Sequence, residues 1–505
     1  MISSQQRGFV VAGILLGVFL SALEATVIST AMPTIVSSLG GLAIYSLVFS
    51  GYLFTSTLTM PLWGRLADLY GPRKLFVIGV SIFMFGSALC GASHSMIQLI
   101  LFRLIQGIGA GAVLPLTFTM IGHLFDLQQR AKMQGFFSGV WGVASVIGPL
   151  VGGYLSDHVS WRWVFYLNVP FGLLSMFLVS RGKIKDEKKH FAEGSLNLKG
   201  TLTFALAVVC LLLGLMFAKQ FLWVTGPLII FSGLIFWLYI HLEKGEIHPL
   251  IPLKLFKIKL FRSAQIAGFF CGMAMFGTLS FVPLFMQSAL GSSAVQAGRV
   301  LLPFMMAWVV FSILASRLIL KVGYRNVVIC GSSLLSIGFV VMSQLHQQSS
   351  PFHVMVCMAL EGAGMGFSMA PFLIAVQNAV PKNLMGAATS STQFVRTIGG
   401  AIGVAVMGVT FSYALHSSSN ILLKDPSVQL NQVGKILQQP DQIIVARNRN
   451  QIPPEILYRA QFEMGEGLQK VFRVGLFFAI CSLIACFTVP YGNAHDHTWK
   501  STEGE

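Results

Sequence analysis

The sequence predicts an all-α integral membrane protein of two six-helix bundles plus two inserted helices, which together make fourteen transmembrane helices. Of its 505 residues, 54% are hydrophobic and only 10% are charged, whereas a soluble chain carries roughly a quarter charged residues. Apolar runs of about 18 residues or more recur, and each is long enough to cross a bilayer as a helix. Two short motifs occur once in each half of the chain. Composition therefore excludes a soluble protein, and the repeated motifs indicate internal duplication.

The hydrophobic runs divide the chain into predicted spans and bundles. The spans lie at 9–34, 42–63, 74–92, 96–121, 135–155, 163–180, 198–217, 221–242, 261–287, 296–320, 325–344, 352–378, 385–413 and 471–490. The first six form an N-terminal bundle within 1–180, and 181–245 contains a charged linker and the two extra spans. The last six form a C-terminal bundle within 246–490, and a cytoplasmic tail follows at 491–505.

Basic residues cluster in alternate short loops, which by the positive-inside rule places both chain termini in the cytoplasm. These loops contain Arg65, Arg73, Lys74, Arg130, Lys132, Arg181, Lys183, Lys185, Lys188, Lys189, Lys244, Lys254, Lys257, Lys259, Arg262, Arg317, Lys321 and Arg325. The net charge of +16 therefore reflects membrane orientation, and no nucleic-acid partner is expected. The first span is too long for a cleaved signal sequence, so we expect it to remain as an anchor in the cell membrane.

A charged turn at Gly64–Lys74 separates the second and third spans. Gly71 and the proline after it suit a chain reversal, because glycine tolerates unusual backbone angles and proline disfavours helix in the residue before it. Asp68 lies between Arg65 and Arg73, and we expect the three to form a cytoplasmic charge lock that holds an outward-facing state. The alternative, a turn with a topology signal, explains the arginines but not the aspartate. A degenerate copy at 316–325 has leucine in place of the aspartate.

A glycine-rich stretch at 106–111 in the fourth span reappears at 361–366 in the twelfth. Inside an apolar span this pattern indicates a helix face in close contact with its neighbours, not a phosphate cradle. The two copies place six spans before and six after the inserted pair. Parallel repeats of six spans, with a site at their interface near the middle of the membrane, are a transporter architecture.

These motifs resemble those of the major facilitator superfamily, and specifically the drug:H+ antiporter-2 family of fourteen-span transporters. The Gly64–Lys74 turn resembles the superfamily's loop signature GxLaDrxGrk, with Leu69 and Pro72 at two of its arginine positions. The segment 101–109, which contains Arg103, resembles the span-four signature lxxxRxxqGxg. Further matches are the span-five antiporter signature at 135–153 with Ala144 at one glycine position, the span-one motif at 23–33 with Glu24 at its usual aspartate, the segment 161–170 entering span six, and 393–400 around Arg396. The resemblance implies a proton-coupled multidrug efflux transporter, with Arg103 involved in proton coupling.

Glu24 and Arg103 are the first candidates for proton coupling. An unpaired carboxylate inside a membrane span is costly, so such residues face a partner or a cavity and usually mark a pathway. At about 1.5 Å of rise per residue, Glu24 and Arg103 lie at similar depth. We expect Arg103 to bind Glu24 in one state and release it in another. The alternative is a structural hydrogen bond that closes a helix interface.

Glu361 and Arg396 form a second predicted pair, near mid-membrane in the C-terminal half. Glu361 belongs to no motif of the family, so it could serve this transporter's own substrate; alternatively Arg396 neutralises it for packing alone. The expected substrate-binding residues are Glu24, Glu361, Gln106, Gln393 and Asn378. The expected conformational gate comprises Gly64, Arg65, Asp68, Gly71, Arg73 and, in a kinked and tightly packed fifth span, Gly148, Pro149, Gly152 and Gly153.

The outer loop 414–470 is long, polar and rich in proline. Loops of that length are usually functional or disordered. Two alternatives stay open at this point: a small ordered cap over the outer mouth, or a flexible excursion.

The predicted function is proton-coupled export of lipophilic or amphiphilic compounds, including cationic ones, by alternating access. A dedicated exporter of one lipid, siderophore or metabolite is the alternative transport function, and a membrane enzyme or sensor is a third hypothesis that no nucleophile triad or metal cluster supports. No P-loop occurs, which disfavours ATP-driven transport. The seven cysteines form no CxxC motif, so no metal or other cofactor is expected. Expected partners are a small-molecule substrate, protons and membrane lipid, for a monomer.

Overall fold

The computed structural model describes residues 4–40, 44, 46–182, 197–217, 222–244, 246, 249–423, 433, 435 and 452–492. In this part of the chain every regular element is a helix. The α-helices are α1 Ser4–Leu39, α2 Ser46–Tyr70, α3 Pro72–Gly91, α4 Met96–Leu124, α5 Leu127–His158, α6 Trp163–Tyr166, α7 Asn168–Arg181, α8 Leu198–Phe217, α9 Leu222–Glu243, α10 Lys259–Ser288, α11 Ala294–Arg299, α12 Leu302–Met342, α13 Pro351–Ala379, α14 Met385–Leu423 and α15 Pro454–Phe487.

The helices supply fourteen membrane passes, which confirms the predicted fold class. Eleven stretches of the described residues are long and apolar enough to cross a bilayer. One of these stretches contains α12, which reverses at Gly323 (φ 77°) and so makes two passes. The helices α2 and α5, of 25 and 32 residues, are also long enough to cross a bilayer. Both pack against the other half of the protein.

The two halves repeat the same packing arrangement. The chain turns at Gly71 (φ 90°) between α2 and α3 and at Gly323 (φ 77°) within α12, and this region of φ favours glycine. Gly107 and Gly109 of α4 press against the backbones of Tyr52 in α2 and Phe83 in α3. In the same way, glycines 362 and 364 of α13 press against backbone of the first and second arms of α12. The glycine-rich stretches are therefore close-contact helix faces.

The halves meet along two seams, α2 with α14 and α5 with α12. The inserted helices α8 and α9 pack over the first seam. A buried apolar group, here called the seam cluster, joins α2, α8, α9, the segment before α10, and α14. Its members are Met60, Phe204, Val208, Tyr239, Leu250, Ile251, Phe394 and Ile398.

The predicted loop at 414–470 is partly helical. α14 continues to Leu423 and α15 begins at Pro454. These extensions contain polar residues that support a helix outside lipid, among them Arg459 and Glu463, an i,i+4 pair at 3.6 Å. Residues 424–432, 434 and 436–451 lie outside the described residues, as do 183–196 of the predicted linker and 493–505 of the tail.

Candidate functional site

Glu24 is the centre of a buried polar network in the N-terminal half. Its carboxylate is 2% exposed, and Arg103 of α4 donates to Oε1 in a buried ion pair. Asn168, the first residue of α7, donates from Nδ2 to Oε2 at 2.5 Å. The structure therefore brings Glu24 and Arg103 together at the depth that helix counting predicts, and it adds a third helix to the site.

Arg103 is held on several sides. Its Nη1 also donates to Gln106 Oε1 at 2.8 Å, and its Nε donates to the Val48 carbonyl at 3.2 Å. The guanidinium carbon lies 4.1 Å from the centroid of the Tyr52 ring, a cation–π distance. A planar group with five donors can satisfy such a set of partners, whereas a lysine could not. The arginine is thus fixed in place by groups from α2 and α4, with its charge directed at α1.

Asn168 is a functional candidate that the sequence analysis did not single out. Besides Glu24 it donates to the Ser87 hydroxyl at 3.0 Å, and Ser87 donates to the Phe165 carbonyl at 2.8 Å. In the sequence, Asn168 could have been recognised as an amide residue inside the apolar segment 161–170. Through this chain of bonds, α3 and α7 both orient the Glu24 carboxylate.

Glu361 lies in the corresponding place of the C-terminal half. It is 0% exposed, and Thr278 of α10 donates to its Oε2 at 2.5 Å. Its Oε1 is buried without a hydrogen-bond partner among the described residues. A fully buried carboxyl group with a single hydroxyl donor is costly as an anion, so this environment favours the neutral acid.

Arg396 does not pair with Glu361, contrary to the sequence-based expectation. The backbone of Arg396 lies against Gly272, whereas Glu361 binds Thr278 six residues further along α10, about 9 Å away at helical rise. Arg396 Nη1 instead lies 3.7 Å from the Met369 sulfur. Similar depth is not enough for a pair, because it leaves the direction of each side chain around its helix undetermined.

The two carboxylates occupy related positions of the repeat. Glu361 follows Gln106 by 255 residues, and Thr278 follows Glu24 by 254 residues. In the N-terminal half the first helix, α1, supplies the acid Glu24, and the fourth helix, α4, supplies its partner Arg103. In the C-terminal half the fourth helix, α13, supplies the acid Glu361, and the first helix, α10, supplies its partner Thr278. Each half therefore contains one buried acid at the contact between its first and fourth helices.

Asp68 joins the halves at the end of the molecule where α2 turns into α3, here called the gate end. It is 3% exposed, and its carboxylate accepts the backbone N–H groups of Gly386 at 2.6 Å and Ala387 at 2.8 Å. Gly64 lies against the same region, since a Cβ there would meet Ser390 and the Gly386 carbonyl. The lock therefore joins a carboxylate to the first turn of α14.

The two arginines of the turn have different surroundings. Arg65 is 1% exposed and interacts electrostatically with Asp68 and with Glu243 of α9. Arg73 was expected in the charge lock, but it donates to the carbonyls of Val179 and Ser180 at the end of α7. This position is favourable because the last carbonyls of a helix attract cations.

A second contact across the halves involves Asn378, which the sequence analysis placed in the substrate site. Asn378 is the last residue but one of α13, and its Oδ1 accepts from Arg130 Nη1 at 2.9 Å. Its Nδ2 donates to the Tyr324 hydroxyl at 2.8 Å. Asn378 thus lies at the gate end, far from the Glu361 level of the same helix.

Further bonds continue this closure toward the middle of the membrane. Gln377 Nε2 donates to the Phe118 carbonyl at 2.9 Å, and Ser138 donates to Ser312 at 3.0 Å across the α5–α12 seam. These bonds lie in the gate-end half of their helices, except that Ser312 lies midway along the first arm of α12. The structure therefore has its gate end closed.

The remaining predicted residues lie in helix contacts. Gly148 and Gly152 of α5 press against Thr26 and Thr30 of α1, whereas Gly153 has open space around it. The side chain of Pro149 lies outside the described residues. Gln393 of α14 is buried, 4% exposed.

Comparisons with known proteins agree with this arrangement. The sequence model of the Major Facilitator Superfamily matches residues 14–223 and 196–404. Multidrug transporter protein MdtP of Bacillus subtilis is 37% identical over 429 residues, which cover 84% of this chain and 78% of that protein. Multidrug resistance protein 3 of the same organism is 34% identical over 474 residues, covering 93% of this chain and 92% of that protein.

A solved structure shows the same fold. The human organic anion transporter MFSD10 (TETRAN) superposes with a TM-score of 0.65 at 13% identity, over 94% of this chain and 100% of that one. MdtP is named a multidrug transporter and MFSD10 an organic anion transporter, in agreement with the expectation that the chain is not an enzyme. The resemblance of its motifs is thereby confirmed, and the chain belongs to the Major Facilitator Superfamily of membrane transporters.

Proposed function

We propose that the protein is a proton-coupled antiporter that exports lipophilic or amphiphilic compounds, including cationic ones, by alternating access. The observation that carries this proposal is the buried Glu24 carboxylate with Arg103 and Asn168 bound to it. A buried ion pair changes its energy greatly when one charge is removed, because the remaining charge is left without compensation. Protonation of Glu24 therefore frees Arg103, and loss of the proton restores the pair.

Glu361 is proposed as the second acid of the mechanism. Its single hydroxyl donor and complete burial suit a group that carries a proton in the conformation seen here. A substrate cation reaching this acid would displace the proton, since either positive charge compensates the carboxylate. Gln106 and Gln393 remain proposed substrate contacts.

The closed gate end corresponds to an outward-facing conformation in this proposal. Basic residues such as Arg73, Arg130 and Arg317 lie near the gate end of their helices, so the positive-inside rule supports placing that end and both termini in the cytoplasm. The setting is the cell membrane, with lipid around a monomer. Breaking the Asp68 and Asn378 contacts would open the gate end and turn the site toward the cytoplasm.

The names of the bacterial relatives support drug export as the physiological activity. A dedicated exporter of one lipid, siderophore or metabolite is the second candidate, and Glu361 favours it because this acid belongs to no motif of the family. A panel of structurally unrelated lipophilic compounds separates the two. A multidrug exporter should release protons when several of these compounds are added, whereas a dedicated exporter should release them with one class of compound only.

The test is proton release from purified protein on addition of tetraphenylphosphonium, a lipophilic cation, followed with a pH dye in weak buffer. Wild type is compared with Glu24→Gln, Glu361→Gln and the control Glu466→Gln, which removes an exposed carboxylate of α15. We expect release in wild type and control and its loss in Glu24→Gln. Loss of proton release in Glu361→Gln alone would assign proton coupling to the C-terminal half. Unchanged release in both variants would overturn the coupling scheme.

A further inference from the structure

The inserted helices α8 and α9 are built into the contact between the halves. The seam cluster takes Met60 from α2, Phe204 from α8, Tyr239 from α9 and Phe394 from α14. One buried group therefore contains side chains of both halves and of both inserted helices. A separation of the halves along this seam would have to break it.

Phe204 is the main apolar contact of the inserted pair. It is 1% exposed, and its ring centroid lies 5.2 Å from that of Phe394 and 5.2 Å from that of Tyr239. Phe394 follows Gly386 by eight residues, which is about 12 Å along α14. The contact thus lies on the same helix as the Asp68 lock, about two turns away.

Glu243 is the polar contact, at the gate end of α9. It is 3% exposed, and its Oε2 accepts the Leu250 backbone N–H at 2.8 Å. Its Oε1 lies 3.5 Å from Asn197 Nδ2, just before α8. The carboxylate therefore ties the start of α8 to the segment that leads into α10. Its charge also attracts that of Arg65 in α2, as the charge of Asp68 does.

From these contacts we infer that the inserted pair is a clamp on the α2–α14 seam, in which Glu243 and Phe204 are positioning residues of the gate. This inference rests on the proposed gating function. Glu243 fixes the start of α8 against the segment that leads into α10, while Phe204 fixes α14 against the pair, so both favour the closed gate end.

A purely lipid-facing role for the pair does not account for these contacts. Acyl chains could cover the apolar seam as well as Phe204 does, because lipid tails are as apolar as a leucine side chain. They could not supply a carboxylate to the buried Leu250 backbone N–H and the Asn197 amide. Glu243 therefore gives the pair a function that the bilayer alone does not provide.

The test measures opening of the gate end in purified protein. Ser138→Cys places a thiol in the closed α5–α12 contact, and Cys330→Ser removes the exposed native thiol. The rate of reaction with a charged maleimide then reports opening. Glu243→Gln and Phe204→Ala are compared with Glu246→Gln and Phe231→Ala, which change exposed residues near or on α9. Asp68→Asn is included because it removes part of the gate contact directly.

We expect Glu243→Gln and Phe204→Ala to raise the labelling rate roughly fivefold or more, the usual size of coupling between distant sites. Glu243→Asp should restore the slow rate, and the thermal midpoint of Glu243→Gln should stay near that of wild type, which separates gating from general destabilisation. Phe204→Leu replaces Phe204→Ala if the latter does not fold.

Faster labelling in Asp68→Asn with wild-type rates in the Glu243 and Phe204 variants would overturn the clamp and leave the gate intact. Wild-type labelling in Asp68→Asn as well would overturn the gate itself. Equal acceleration in the two control variants would also overturn the clamp, since it would make the effect unspecific.

Discussion

The Asp68 carboxylate in one half accepts the Gly386 backbone N–H in the other at 2.6 Å. Gly386 is the second residue of α14, so its N–H has no carbonyl partner within the helix. A carboxylate at this position also meets the positive end of the helix dipole. Asp68 therefore caps α14 from the opposite half, and the cap exists only while the gate end is closed.

Replacing Asp68 with asparagine should open the gate end. Asparagine keeps the size of the side chain but turns one acceptor oxygen into a donor, which leaves one buried N–H of α14 unpaired. Hydrogen bonds to charged groups contribute about 1.5–3 kcal/mol, so labelling of Ser138→Cys should rise roughly tenfold or more. Glu246→Gln serves as the control, and an unchanged labelling rate in Asp68→Asn would show that the cap does not hold the gate.

The Asn378–Arg130 contact should act as a second lock. Asn378→Leu keeps a similar volume but removes the acceptor for Arg130 and the donor to Tyr324. Gate-end labelling should rise, and more in the double variant with Asp68→Asn than in either single one. The matched control Asn326→Leu changes an exposed asparagine of α12. Substrate binding should be unchanged, because Asn378 lies at the gate end. A loss of substrate binding with an unchanged labelling rate would instead show that Asn378 belongs to the substrate site.

The Glu24–Arg103 pair should show strong coupling in stability. Arg103→Met leaves the Glu24 carboxylate buried without its cation, which typically costs about 3–5 kcal/mol. Adding Glu24→Gln removes the uncompensated charge and should recover most of the thermal midpoint in detergent. Proton release should be absent in both variants. If the double variant were as unstable as Arg103→Met alone, the uncompensated charge of Glu24 would not be the cause of the lost stability.

Two adjacent glycines of α5 offer a matched test of helix packing. A Cβ at Gly152 would lie 2.7 Å from the Val27 carbonyl of α1, which cannot move easily, whereas Gly153 has nothing within 4 Å. Gly152→Ala should lower the thermal midpoint, since overpacking typically costs about 1–3 kcal/mol. Gly153→Ala should be neutral or stabilising by up to about 1 kcal/mol, because alanine favours helix. Equal effects would contradict the close approach of α1 and α5.

The depth of polar residues was predictable from the sequence, but their direction around each helix was not. Glu24 and Arg103 could be paired because their helices cross the membrane regularly and both side chains face the same interface. Counting placed Glu361 and Arg396 at one depth as well, yet they contact α10 at different levels, at Thr278 and at Gly272. That difference depends on how the helices rotate and shift against each other, which a hydrophobic pattern in a helix buried on most sides does not determine.

At the gate end, too, the partners of the polar side chains could not be predicted from the sequence. The sequence singled out Asp68, but its partners are backbone N–H groups, which no side-chain pattern reveals. Arg73 was grouped with Asp68 on charge alone, whereas the carbonyls at the end of α7 compete for it. Asn378 could have been placed correctly, because it lies one residue before the end of its helix.

The inserted pair also determines which edge of the contact between the halves is exposed to lipid. α8 and α9 shield the α2–α14 seam, while along the other seam Phe136 of α5 and Met306 of α12 are 61% and 68% exposed. Acyl chains therefore reach one edge of the contact between the halves and not the other. Changes in membrane thickness or lateral pressure act on a single edge, so the response of this transporter to its lipid surroundings is one-sided, although its two halves are built on one plan.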